Sequence, residues 1–120
     1  MAEVPDLDLA YATAHELVAR YRAGALSPVE VTRAILARAH ELEPKIAAFQ
    51  LIDDDAALDA ARASEERWSK GEPRGRLDGV PVSVKDIVLT RGWPTLSGSR
   101  TTDPQGPWMD CLLYTSPSPR

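Results

Sequence analysis

The first half of the chain repeats its apolar residues with the spacing of α-helices. Thr13 and Glu16 have the form of a capping box, in which the side chain of each residue accepts the backbone N–H of the other. The apolar positions that follow with helical spacing are Leu17, Val18 and Tyr21. Gly24 stands where a left-handed residue ends a helix, so the pattern predicts a helix between Thr13 and Gly24.

A second capping box predicts a longer helix. Ser27 and Glu30 form it, and Pro28 falls at the first helical position, where its missing N–H costs nothing. An apolar stripe follows on one face, made of Val31, Ile35, Ala39 and Leu42. Pro44 is expected to stop this helix, since proline disfavours helical backbone at the residue before it.

The middle of the chain predicts a strand and then a third helix. Residues 47–52 are short, apolar and aromatic-containing, which is typical of a strand. The run Asp53 to Asp55 places negative charge where a helix N-terminus favours it. Residues 56–70 are rich in alanine, and Gly71 closes the predicted helix.

The segment Val80 to Leu89 predicts a strand of a different kind. Residues 71–79 before it have the composition of an exposed loop. Alternate residues of a strand point to opposite faces, and both faces carry apolar side chains here. Such a strand is buried on both sides, as in a sheet covered by helices. The fold class expected is therefore α/β, with helices packed on a sheet.

Composition and charge exclude several function classes. The chain has 120 residues, of which 43% are hydrophobic, enough for one globular domain. A net charge of −4 with interspersed signs gives no basic stripe, so nucleic acid binding is not expected. The chain has no apolar run long enough for a membrane span and no basic leader, which predicts a cytoplasmic protein. Cys111, His15 and His40 make no metal-ligand spacing, and no metal or cofactor is expected.

Residues 111–120 break the texture of the preceding chain. They resemble the translation of a sequencing adapter, and we interpret them as a non-native tail; a genuine Ser/Pro-rich tail is the alternative. The domain expected is then residues 1–110.

Lys85 is the anomaly in the predicted strand. It is a cation among valines and other apolar residues, where burial opposes its charge. A buried lysine yields a neutral amine that can act as a base. Asp86 is adjacent but points to the other face of an ideal strand. The alternative is a lysine at a strand end that reaches solvent.

A set of ordered motifs surrounds Lys85. They are Leu77-Asp-Gly-Val-Pro-Val-Ser-Val-Lys-Asp86, then Arg91-Gly-Trp-Pro-Thr, then Ser97-Gly-Ser99. In this order they resemble the amidase signature family around its catalytic lysine. The upstream helix start at Ser27-Pro28-Val29-Glu30-Val31 agrees with the same family, and the resemblance covers nearly all of residues 9–110.

The resemblance implies a hydrolase that acts on C–N bonds with a Ser-Ser-Lys triad, one serine lying on a cis peptide bond. Lys85 matches the triad lysine. It would take a proton through the bridging serine, so that the second serine attacks an amide carbonyl and forms an acyl-enzyme. Asp86, Gly98 and Ser99 are placed in the vicinity of the active site. The partner implied is a small-molecule amide substrate; a homodimer of the full-length protein stays open.

The chain departs from the family at one decisive point. The Gly-Gly-Ser-Ser-Gly-Gly-type stretch that supplies both serines is absent from these 120 residues. Ser83, Ser97 and Ser99 lie in no matching context, so neither serine role is transferred to them. The chain is expected to be the N-terminal part of the family's fold, with helices packed on a partial mixed sheet, and to be inactive alone.

Three functional alternatives stay open. A stand-alone amidase is favoured over the glutaminase A subunit of a tRNA-dependent amidotransferase, because Ile87 follows the Lys-Asp pair where those subunits usually have asparagine. The third alternative is a small non-catalytic α/β interaction module, in which Lys85 is a plain strand residue.

Overall fold

The computed structural model of the chain describes residues 6–88, 90 and 92–101. The chain divides into two compact units, Met1–Pro81 and Val82–Arg120. Residues 111–120, which we interpret as a non-native tail, lie outside the described residues. The helices described in the first unit are α1 (Asp6–Tyr11), α2 (Ala14–Arg22), α3 (Pro28–Ile46) and α4 (Asp54–Ser69).

Both predicted capping boxes are confirmed. The Thr13 hydroxyl accepts the Glu16 N–H at 3.2 Å, and the Glu16 carboxylate accepts the Thr13 N–H at 2.7 Å. At the start of α3 the corresponding distances between Ser27 and Glu30 are 3.2 and 2.8 Å. Local side chains therefore set where α2 and α3 begin.

The predicted end of α3 at Pro44 is wrong. The helix continues through the proline to Ile46 and ends at Ala47, which takes a left-handed conformation with φ 45°. The helical backbone ends at the left-handed Ala47 and not at Pro44, so the last turn of α3 is kept. The Phe49 N–H then donates to the Glu43 carboxylate at 2.9 Å.

The described residues form no strand, which corrects the predicted sheet. Residues 47–52 are non-helical loop, and the segment from Val80 onward is extended with no ladder partner among the described residues. The bridge between Thr90 and Trp93 is isolated. Val82 is 86% exposed and Ile87 is 61% exposed, so the predicted two-sided burial is wrong as well. A strand is covered on both faces only where neighbouring strands and helices surround it.

The helices of the first unit enclose a small apolar core. Its buried members are Leu9, Leu17, Val18, Tyr21 and Val31, and partly buried Leu26, Ile35, Trp68 and Val80 pack against them. The α3 helix contacts both α1 and α4. Val31, the first residue of the predicted stripe, is completely buried.

Gly79 is the point where the chain after α4 meets three helices. Its carbonyl accepts the Tyr21 hydroxyl of α2 at 3.0 Å. Burial raises the pKa of Tyr21 to about 12, so this hydroxyl keeps its proton and remains a donor. A Cβ at Gly79 would lie 2.7 Å from Pro28 Cγ of α3 and 2.6 Å from Ser64 Oγ of α4. Only glycine allows this close approach.

Asp78 fixes the same turn through charge. Its carboxylate accepts Nε of Arg67 at 2.7 Å and Nη2 at 2.6 Å, as well as the Arg74 N–H at 2.9 Å. The Trp68 indole N–H donates to the Asp78 carbonyl at 3.0 Å. The Arg67 hydrogen bonds are the main reason that the pKa of Asp78 lies well below its usual range.

Replacing Gly79 by alanine tests the close approach. Gly79 has φ +84°, whereas Gly71 has φ +70° and nothing lies within 4 Å of the position that its Cβ would take. Both alanine variants share a backbone strain of about 1–2 kcal/mol. Gly79→Ala should lose a further 1–3 kcal/mol or so from overpacking. Urea unfolding measures the difference, and equal losses in the two variants would contradict the predicted contact.

Acid unfolding tests the Asp78 pair. Because the pKa of Asp78 is lowered in the folded state, its stabilisation is complete above the ordinary value of about 3.9 and is lost progressively as the pH falls from that value through the lowered pKa of the folded state. The free energy of unfolding of Asp78→Asn should therefore fall less steeply below about pH 4 than that of the parent chain. Asp59→Asn removes the same charge from an exposed helix pair and is the control. Identical slopes for all three proteins would rule out this role of Asp78.

Candidate active site

Lys85 lies in the second unit, at the end of an extended segment. Its side chain is exposed, so the predicted burial of this lysine is wrong. The reason is the missing sheet: no described strand lies beside the segment, and Val82, Ser83 and Val84, which precede Lys85, are exposed as well. The Lys85 carbonyl accepts the Val88 N–H at 3.0 Å, and the chain turns at Asp86 and Ile87. Lys85 therefore stands immediately before a turn.

Asp86 binds three consecutive backbone amides. One carboxylate oxygen accepts the Leu96 N–H at 2.9 Å, and the other accepts the Gly98 N–H at 3.3 Å. The Asp86 carbonyl accepts the Ser97 N–H, also at 2.9 Å. We call residues 96–98 the amide loop. The residue after Lys85 thus holds a loop ten to twelve positions further along the chain.

The amide loop has an unusual backbone. Gly98 has φ +64° and Ser97 has φ +52°. The left-handed region costs glycine little, but it costs an L residue such as serine about 1 kcal/mol or more. Successive amides in such turns point to one side and can surround an anionic oxygen. In this unit the three amides bind three different oxygens of Asp86, namely the two carboxylate oxygens and the carbonyl.

Two buried threonines, Thr90 and Thr95, lie between Asp86 and the amide loop. Thr95 is buried, and its hydroxyl donates to the Val88 carbonyl at 3.2 Å. Thr90 is also buried and forms the isolated bridge with Trp93. Thr90 and Thr95 are thus the buried residues among those described between Lys85 and the amide loop.

The structure joins some of the predicted site residues and separates others. Asp86 and Gly98 are directly hydrogen-bonded. Ser99 follows in the same turn, but its hydroxyl lies 2.7 Å from the Thr101 hydroxyl and accepts the Thr101 N–H at 3.2 Å. Within the described residues no serine hydroxyl hydrogen-bonds to Lys85. This part of the chain holds a candidate base and a shaped loop, without a nucleophile for that base.

Sequence reasoning missed two members of this arrangement. The left-handed Ser97 was missed because serine seldom adopts positive φ, and the adjacent Gly98 was the one signal of a special turn. Thr95 was missed because a buried threonine bound to a carbonyl leaves no mark in the hydrophobic pattern. The interaction of Asp86 with backbone amides was likewise invisible, since it joins positions ten or more residues apart.

The described part of the chain has no cluster of three or more His, Cys, Asp or Glu side chains that could hold a metal ion. None of its helices is sufficiently long and apolar to cross a membrane.

Comparisons with known proteins place this geometry in context. The family model described as Amidase matches residues 30–114, a range that includes Lys85 and the amide loop. No solved structure matches the chain.

Curated relatives are similar over most of this chain. The A subunit of glutamyl-tRNA(Gln) amidotransferase from Myxococcus xanthus is 51% identical over 85 residues, which are 71% of this chain and 18% of the relative. The protein of the same name from Chloroflexus aurantiacus is 45% identical over 93 residues, 78% of this chain and 19% of the relative. That from Streptomyces coelicolor is 43% identical over the same coverage. The chain thus spans about a fifth of the length of these relatives.

Proposed function

Because the chain belongs to the amidase family, we propose that it supplies the catalytic lysine, Lys85, to an enzyme that breaks amide C–N bonds. The observation that carries the proposal is the family match across 30–114, since it includes Lys85, Asp86 and the amide loop in one continuous segment. Lys85 stands next to a turn whose hydrogen bonds involve Asp86, and its exposed side chain leaves room for the serine-bearing part of a full-length enzyme to cover it.

In the proposed reaction Lys85 moves one proton. A bridging serine gives its hydroxyl proton to the Lys85 amine and takes the proton of a second serine, whose oxygen bonds to the amide carbonyl carbon. The protonated lysine returns the proton by the same route to the departing nitrogen as the C–N bond breaks. Water then attacks the acyl-enzyme with the same assistance and releases a carboxylic acid. Both serines must come from chain outside these 120 residues.

We propose that the full-length enzyme is the amide-hydrolysing component of a tRNA-dependent amidotransferase and that its amide donor is a glutamine-type carboxamide. The relatives named as A subunits of glutamyl-tRNA(Gln) amidotransferase support this, at 43–51% identity. Similarity over 85 or 93 residues outweighs the single position that favoured a stand-alone amidase. In such an assembly other subunits would be the protein partners.

A stand-alone amidase is the second candidate, and Ile87 is the observation in its favour. Ile87 is 61% exposed in the turn that follows Lys85. An apolar side chain at this place suits an apolar amide substrate better than a polar carboxamide. Glutamine and a simple aromatic amide, offered as competing substrates to the full-length enzyme, distinguish the two candidates.

Reading the gene beyond the codon for Asp110 is the first test of the proposal. We expect the reading frame to continue into a Gly/Ser-rich segment with two serines, because a lysine base without them has no hydroxyl to activate. A natural stop codon at this point would favour the non-catalytic module.

Lys85 itself is tested in a hybrid enzyme. This chain's matched segment replaces the equivalent segment of the Myxococcus xanthus relative, and amide hydrolysis is measured by ammonia release. Lys85→Ala should lower kcat roughly 10²–10⁴-fold, the usual contribution of a general base. Lys85→Arg should lose as much, because arginine keeps the charge but stays protonated.

The control for that experiment is Lys70→Ala. Lys70 is an exposed lysine that pairs with Glu66 on the surface of α4, and its loss should leave kcat within a few-fold of the parent hybrid. A Lys85→Arg hybrid that retains the parent kcat would show that Lys85 is not the base.

A further inference from the structure

We propose that Asp86 is a positioning residue: it holds the amide loop against the turn that follows Lys85 and so fixes where the lysine stands. The part of this inference that concerns the lysine rests on the proposed function, whereas the hold on the loop does not. The geometry behind it is the convergence of three consecutive amides on one residue.

The carboxylate is used at both of its oxygens. The Leu96 and Gly98 amides each bind a different oxygen, at 2.9 and 3.3 Å. An ionised carboxylate has acceptors at both ends, whereas an asparagine side chain has one acceptor oxygen and one donor NH₂ group. Asparagine in place of Asp86 could therefore keep one of the two amide bonds and would face the other amide with a donor.

The left-handed Ser97 needs this support. Such a conformation of a non-glycine residue persists where the surrounding structure holds it. The Ser97 N–H binds the Asp86 carbonyl, while the carboxylate binds the residues on either side of Ser97. The side chain of Ser97 is exposed, so packing is not what keeps its backbone in place.

Two consecutive hydrogen bonds link the residue before the amide loop to the backbone of Lys85. Thr95, adjacent to the loop, donates to the Val88 carbonyl, and the Val88 N–H donates to the Lys85 carbonyl. The lysine backbone is therefore held from two directions, through Val88 and through its neighbour Asp86. Misplacing a catalytic group by about 1 Å can cost roughly a hundredfold in rate, so this restraint has kinetic weight.

An alternative role for Asp86 is that of a direct counter-ion for the Lys85 ammonium. The contacts favour the loop, because both carboxylate oxygens already accept backbone amides. The two roles differ in what the removal of the carboxylate should do to the loop, and this difference decides the experiment.

Amide hydrogen exchange of the 120-residue chain, measured by NMR, tests the hold on the loop. In Asp86→Ala the amides of Leu96 and Gly98 should exchange about tenfold faster or more than in the parent chain. In Asp86→Asn one of these two amides should keep its protection. Asp59→Asn, which removes a carboxylate from an exposed pair on α4, should change neither.

Unchanged exchange of α3 amides in each variant shows that the first unit remains folded. If Leu96 and Gly98 exchange at the parent rate in Asp86→Ala, the inference is overturned. That result would leave the proposed function standing, since the exchange measurement involves no catalysis.

The hybrid enzyme tests the consequence for Lys85. Asp86→Asn should lower kcat by about tenfold to a hundredfold while KM stays within a few-fold, as expected when a catalytic group is misplaced and binding is not. Faster exchange of the loop amides with an unchanged kcat would overturn the positioning role. A rise in KM with no change in kcat would do so too, because it would assign Asp86 to substrate binding.

Discussion

The approach of Gly79 to three helices is the constraint on which the first unit depends. The Gly79 carbonyl accepts a hydrogen bond from the Tyr21 hydroxyl of α2, and a Cβ at position 79 would clash with Pro28 of α3 and Ser64 of α4. The contacts with α3 and α4 require that position 79 carry no side chain. The neighbouring Asp78 adds a bidentate pair with Arg67, so the same turn is held by both shape and charge. These contacts hold the segment at positions 78 and 79 against α2, α3 and α4.

The second unit applies the same chemistry around Lys85. Asp86, like Asp78, accepts backbone N–H groups with its carboxylate and thereby fixes a turn that its own sequence does not impose. Carboxylate acceptors make stronger bonds than neutral ones, which suits turns with little apolar surface to bury. Lys85, the candidate base, is therefore followed by a turn that the Asp86 carboxylate holds in place. Its chemistry still requires hydroxyl groups from elsewhere in a full-length enzyme.

Sequence reasoning was most successful where the determinant was local. Both capping boxes join residues three positions apart, and the structure contains both. The resemblance at Lys85 agreed with the family match over 30–114. Reasoning failed where an element needed a distant partner: the strand expected at Val80 to Leu89 is an extended segment, and Lys85 is exposed. A valine-rich pattern shows that a segment is suited to burial in a sheet, but the neighbouring strands and helices that would bury it must come from elsewhere in the chain.

The sequence by itself determined where α2 and α3 start and which lysine marks the family. These are properties of short strings, in which side chain and backbone meet within one turn. Only the tertiary structure decided which atoms Gly79 approaches and which amides Asp86 binds. Those contacts join residues 10 to 58 positions apart, and their geometry follows from how the chain closes on itself. Hydrophobic periodicity does not predict these contacts, because it indicates which face of an element is apolar and not which residues pack against that face.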